Sequence, residues 1–151
     1  MMTNVQIKSK SDMEMEISRV LIHFEKEFMG RGPVETRSYI MDDFIVVRLR
    51  GVLTTTEIKL AQSDDGRSTY LLKQVRQQLL ERGRGLLETQ IQDIVGVPVQ
   101  SIHTDISTRT GERFIIFTLQ SKPDLGTDGT ERVLAEGRRR DASARSTRAA
   151  D

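Results

Sequence analysis

His103 and Asp105 stand two residues apart in the run Ser101 to Ile106, a spacing that puts both side chains on one face of a β-strand. A histidine beside a carboxylate can move protons, and Arg109 and Arg113 follow closely enough to hold an anionic substrate. The same pair is also an ordinary surface or half-buried hydrogen bond, and no nucleophile, cofactor loop or metal cluster accompanies it in the sequence. A second polar group, Gly30-Arg31-Gly32, offers backbone N–H groups to an anion. It lacks the following helix and the Lys-Ser/Thr pair of a phosphate loop, so a helix stop leading into a strand accounts for it. A third set, Arg37, Tyr39, Arg48 and Arg50, interleaves basic residues with an aromatic, a pattern suited to phosphate, carboxylate or single-stranded nucleic acid. Asp64-Asp65-Gly66 has neither the alternating ligands nor the closing Glu of a calcium loop. His23 sits at the margin of an apolar helix stripe, and with two histidines and no cysteine in the chain no metal site and no cofactor are expected.

The elements that position these residues follow from periodicity. Ile17, Val20, Leu21, Phe24 and Phe28 recur at helical spacing over Asp12 to Met29, with Ser11 or Asp12 as the amino-terminal cap, Gly30 as the stop, and Glu25 assigned to the outer side. Thr36 to Met41 and Phe44 to Arg50 flank Asp42-Asp43 as a tight hairpin. That register puts Ile40, Ile45, Val47 and Leu49 on a core face and Arg37, Tyr39, Val46 and Arg48 on the other. Thr54 and Glu57 have capping-box spacing before a short helix to Gln62. A long helix from Arg67 to Val95 is predicted to bury Leu72, Val75, Leu79, Leu86, Ile91 and Ile94, with Gly83 and Gly85 marking either close packing or a break into two helices. The last hairpin turns at Gly111, from Ser101–Ile106 into Arg113–Leu119. The two halves line up as an α-β-β-α-β-β pseudo-repeat. An α+β two-layer sandwich is expected, a four-stranded, mostly antiparallel sheet with both main helices on one face and the other face open. Because that open face is half apolar, a homodimer is expected.

The chain has 151 residues, 36% hydrophobic and 30% charged, with a net charge of +1, enough for one domain with a core. Residues 1 to 120 balance 16 basic against 16 acidic residues, so bulk charge selects no partner. Residues 121–151, rich in Arg, Ala, Ser and Gly, carry too few apolar side chains to offset the entropy of ordering. They are expected to be a disordered tail with a transient helical turn near Thr130 to Arg140. The expected organisation is a flexible 1–11, a domain over 12–120 and the tail. No apolar run approaches a membrane span and the amino terminus lacks a signal-peptide core, which, with the absence of cysteine, points to the cytoplasm.

Three stretches carry a resemblance: Phe24 to Pro33 (with Gly30-Arg31-Gly32-Pro33), Val47 to Thr54, and His103 to Arg113. In order and over roughly residues 12 to 120 they resemble a family of small bacterial proteins, formerly of unknown function, named for the C component of a sodium-translocating, membrane-potential-generating system. The resemblance implies a non-enzymatic accessory protein of a sodium- or bicarbonate-linked membrane system. Such a protein acts by contact through the open sheet face or the tail, at the inner side of the membrane through a protein partner. Two alternatives stand beside it. One is a nucleic-acid or anion module using Arg37, Tyr39, Arg48 and Arg50 with Arg138, Arg139 and Arg140 of the tail. The other is an enzyme centred on His103 and Asp105.

Overall fold

Apolar residues at three- and four-residue spacing give α1, Lys10–Met29, a stripe of Met13, Ile17, Leu21, Phe24 and Met29 that is buried. This is a computed structural model, and it describes residues 8–63 and 66–125. α1 begins inside the segment expected to be flexible, and its first turn is closed by the Ser9 hydroxyl, which accepts from the Asp12 N–H at 3.1 Å, rather than by Ser11 or Asp12. The tail beyond residue 125, with its expected disorder and helical turn, lies outside the described residues.

The strands are β1 (Glu35–Met41), β2 (Phe44–Arg50), β3 (Val99–Ile106) and β4 (Arg113–Leu119), and the sheet order is β1-β2-β4-β3 with every pair antiparallel. The two hairpins therefore meet along β2 and β4, the arrangement that two α-β-β halves facing each other produce. Asp42 takes a left-handed φ of 57° at the tight turn and Gly111 a φ of 71° at the longer one, conformations open to Asp and Gly at low cost. Ile40, Ile45, Val47, Leu49, Ile115 and Phe117 lie on the buried face as the alternation requires. The edge strand β1 is partly covered: the Ile40 N–H donates to Glu14 of α1 at 2.8 Å, and Ser38 and Ser18 share a hydrogen bond of 2.7 Å.

Two further helices follow β2. α2 (Thr55–Ala61) starts with the full capping box, Thr54 and Glu57 each satisfying the other's backbone N–H. α3 (Gly66–Val95) is one unbroken helix of 30 residues. Its buried stripe is Leu72, Arg76, Leu80, Gly83, Leu87, Ile91 and Val95, so the helix is rotated from the sequence expectation. Val75 and Leu86 are 56% and 53% exposed instead of core. Gly83 explains the rotation. A Cβ there would meet Phe24 Cζ at 3.0 Å and Phe28 Cε1 at 3.1 Å, so α3 presses its glycine onto the stacked Phe24–Phe28 pair, whose centroids are 4.7 Å apart. Leu87, Ile91 and Val95 then fall in line at four-residue steps.

Candidate functional site

Charged side chains cost free energy when removed from water unless they are paired. Glu25, Arg76 and Arg113 are nonetheless almost completely inaccessible, at 0%, 2% and 2%. Glu25 sits in the apolar stripe of α1, one turn after Leu21, and accepts from Arg113 Nη1 at 3.2 Å and from Arg76 Nη1 at 3.4 Å. Arg76 reaches further. Its Nε and Nη2 grip the two oxygens of Glu57 at 2.7 Å each, and Nη2 also donates to the Val52 carbonyl at 2.9 Å. Arg113 donates from Nε to the Thr104 hydroxyl at 3.0 Å. Two carboxylates and two guanidiniums thus form a neutral set joining α1, α2, α3, β3, β4 and the β2–α2 loop. Burial pushes the Glu25 carboxyl above its ordinary range against the pull of Arg113 and Arg76. Glu57 is also disfavoured by burial, but hydrogen bonds from Arg76 and Thr54 prevail and hold its pKa below the ordinary value.

Sequence reading missed this set. Periodicity places Glu25 on the outer face of α1 and gives Arg76 no part. The signal was present, since each lies four residues from a buried leucine on one side of its helix, Leu21 before Glu25 and Leu72 before Arg76. A charge inside an apolar stripe requires an opposite charge facing it.

The open face of the sheet is where the register predicted it. Across the four strands run Arg37–Arg48–Phe114–Asp105, then Tyr39–Val46–Ile116–His103, then Met41–Phe44–Thr118–Ser101. The middle row is apolar, and the charge gathers in the first, at Arg37, Arg48 and Asp105. Arg37 bonds Glu35 at 2.8 Å, Arg50 lies 3.5 Å from the same carboxylate, and Arg48 pairs with Glu112 while its guanidinium stands 5.8 Å from the Phe114 ring centroid. Each arginine of the face therefore already has a carboxylate. His103 and Asp105 do share this face, yet they do not bond each other. His103 Nε2 is 3.0 Å from the Ser101 hydroxyl, while Asp105 binds Lys73 at 3.1 Å and the Ile106 N–H at 2.8 Å. Lys73 foremost, then that N–H, lowers the Asp105 pKa. Arg113, grouped with them on sequence, points to the opposite side of β4 and belongs to the buried set. Arg109 stands on the turn after β3. Asp64 and Asp65 lie outside the described residues. His23 is exposed, 3.7 Å from Glu27, and the described residues contain no cluster of three or more metal-ligating side chains.

Arg31, from the Gly-Arg-Gly stretch, folds over the β2–α2 loop and donates from Nη1 to the Leu53 carbonyl at 3.3 Å. Gly30 has a φ of 82° and ends α1, the left-handed stop expected of it, and Gly96 at 77° ends α3 in the same way. Gly51 also takes a positive φ, 67°, and the Val52 N–H bonds the Gly111 carbonyl at 3.3 Å, tying the loop after β2 to the turn between β3 and β4.

Residues 9–121 match the family described as the Na+-translocating membrane potential-generating system, MpsC. The chain belongs to this family. A relative from Bacillus subtilis (strain 168), the uncharacterized protein YbcI, is 42% identical over 112 residues, covering 74% of this chain and 89% of the relative. No solved structure matches. The MpsC span contains every element from β1 to β4, the buried charge set and the whole open face. Among the described residues no helix is long and apolar enough to cross a membrane.

Proposed function

We propose that this MpsC protein is a non-catalytic accessory component of a sodium-linked, membrane-potential-generating system. It acts by protein contact through the open face of its sheet, a second copy of the chain being the first occupant. One observation supports the reading. Tyr39, Met41, Phe44, Val46, Phe114 and Ile116 form an apolar centre on a rigid sheet, bordered by arginines and carboxylates that are already paired, the composition of a protein interface with a polar rim. A phosphate-gripping face would offer unpaired arginines, so the pairing of Arg37, Arg48 and Arg50 speaks against nucleic acid. The separate hydrogen bonds of His103 and Asp105 speak against a proton-transfer centre. The protein works on the cytoplasmic side, reaching the membrane through a membrane-protein partner.

The test is the light-scattering mass of the wild type and of Ile116→Asp, which puts a charge in the middle of the patch. A wild-type dimer and a folded monomeric variant are expected, and Ile116→Asp should also lose co-purification with membranes that wild type shows. A wild type that is monomeric and stays off membranes rejects the reading.

A further inference from the structure

Away from the open face, three loops and α2 form a half-open cavity of about 270 Å3, lined by Arg31, Leu53, Ile58, Ala61, Arg109 and Thr110 among others. Its two arginines come from stretches far apart in sequence, the segment after α1 and the turn after β3. Its walls hold no carboxylate among the described residues. The cleft at Arg37 contains Glu35, and the shallow one on the other side of Arg109 contains Asp105 and Glu112. Those three acids are committed to Arg37 and Arg50, Lys73 and Arg48. Arg109 is left without an ion pair among the described residues, and Arg31 has its Leu53 carbonyl contact but no carboxylate.

The site is also held in shape. The turn bearing Arg109 is closed by Ser107 N–H to Glu112 O and Gly111 N–H to Ser107 O, both 2.8 Å. The Val52 and Leu53 carbonyls are gripped by Arg76 at 2.9 Å and Arg31 at 3.3 Å. Backbone held in this way lowers the ordering cost of binding. The opposite wall, Leu53, Ile58 and Ala61, is apolar, and Ile58 is left substantially exposed. Guanidinium groups match a planar carboxylate, and the apolar wall would be left uncovered by a bare inorganic anion. We propose that this cavity is a binding site for a small carboxylate with a short apolar tail, its head on Arg31 and Arg109 and its tail on Leu53 and Ile58.

The probe is hexanoate, titrated into the full chain while backbone amide resonances are followed, with hexanamide and inorganic phosphate as comparisons. Saturable shifts at Leu53, Ile58, Thr110 and Gly111 are expected from hexanoate and not from hexanamide. Arg109→Gln, on an exposed turn, should weaken hexanoate about tenfold or more without lowering the melting temperature, and Arg37→Gln on the open face should leave it unchanged. Equal shifts from hexanamide, phosphate binding in preference to hexanoate, or undiminished binding by Arg109→Gln would each overturn the proposal. Because Arg37→Gln and Ile116→Asp act on the other face, failure here leaves the partner-binding reading standing.

Discussion

Glu57 does two jobs with one carboxylate, closing the capping box of α2 and neutralising Arg76. Its pKa is depressed in the folded chain, so the stability it contributes is present above the ordinary glutamate value of about 4.3 and is lost as pH falls from there through the folded value. Glu25 has the opposite sign. Its raised pKa means that stability declines as pH rises from about 4.3 through the folded value, because the folded state holds the proton longer. Glu57→Gln keeps the shape and a hydrogen-bonding side chain but removes the charge. It should cost about 1.5–3 kcal/mol at pH 7 and flatten the acid loss below about pH 4.3, read from urea midpoints between neutral and acidic pH. An acid slope equal to wild type would show that Glu57 is not the titrating group. At this scale the sequence was half legible. Thr54 and Glu57 announced a capping box by spacing alone, whereas the second partner of Glu57 stands 19 residues away on another helix, where no local pattern reaches.

Among the elements, α3 shows most clearly what periodicity does and does not specify. Its extent was read to within a residue, since one apolar rhythm runs from Leu72 to Val95. Its rotation was not, because Leu72, Val75, Leu79 and Leu86 make a plausible apolar face and only contact with α1 rejects it. Gly83 decides between the faces by letting Phe24 and Phe28 approach, and Gly85, with nothing within 4 Å of a built Cβ, plays no such part. The two glycines should therefore respond oppositely to one substitution. Gly83→Ala gains about 1 kcal/mol of helix propensity but overpacks against two aromatic rings, a loss of about 1–3 kcal/mol, for a net destabilisation. Gly85→Ala should stabilise by about 0.5–1 kcal/mol. Thermal melts of the two variants check this, and a stabilising Gly83→Ala would mean that the Phe24 ring has room to turn aside. The first hairpin was easier to read than α3 because strand alternation admits two faces only, and its core side follows from where Ile40, Ile45, Val47 and Leu49 fall; the second hairpin was not, since Arg113 belongs to the buried side of β4.

At the scale of the molecule, the buried charges are where α1, α3, α2 and the sheet meet in a directional contact. Glu25 bonds Arg76 of α3 and Arg113 of β4 at once, a contact that depends on the position of α3 over the sheet. The same contact reaches both proposed binding surfaces. Arg76 holds the Val52 carbonyl beneath the arginine-lined cavity, and Arg113 lies on β4, whose opposite face carries Phe114 and Ile116. If the set serves position more than stability, breaking it and replacing it must differ. Glu25→Gln leaves two buried guanidiniums facing a neutral group and should cost about 3–5 kcal/mol. The triple variant Glu25→Met, Arg76→Met, Arg113→Met removes every unmatched charge except the partly exposed Glu57 carboxylate, which keeps its Thr54 cap. It should recover more than half of that loss in urea denaturation, since well-packed apolar replacements of buried ion pairs are often neutral or better. Its amide spectrum should nonetheless broaden around Leu53 and Gly111, where the guanidinium anchor of the loop is gone. A triple variant as unstable as Glu25→Gln would instead make the charge set a net contributor to stability, and sharp resonances at Leu53 would show that the loop holds its position without Arg76.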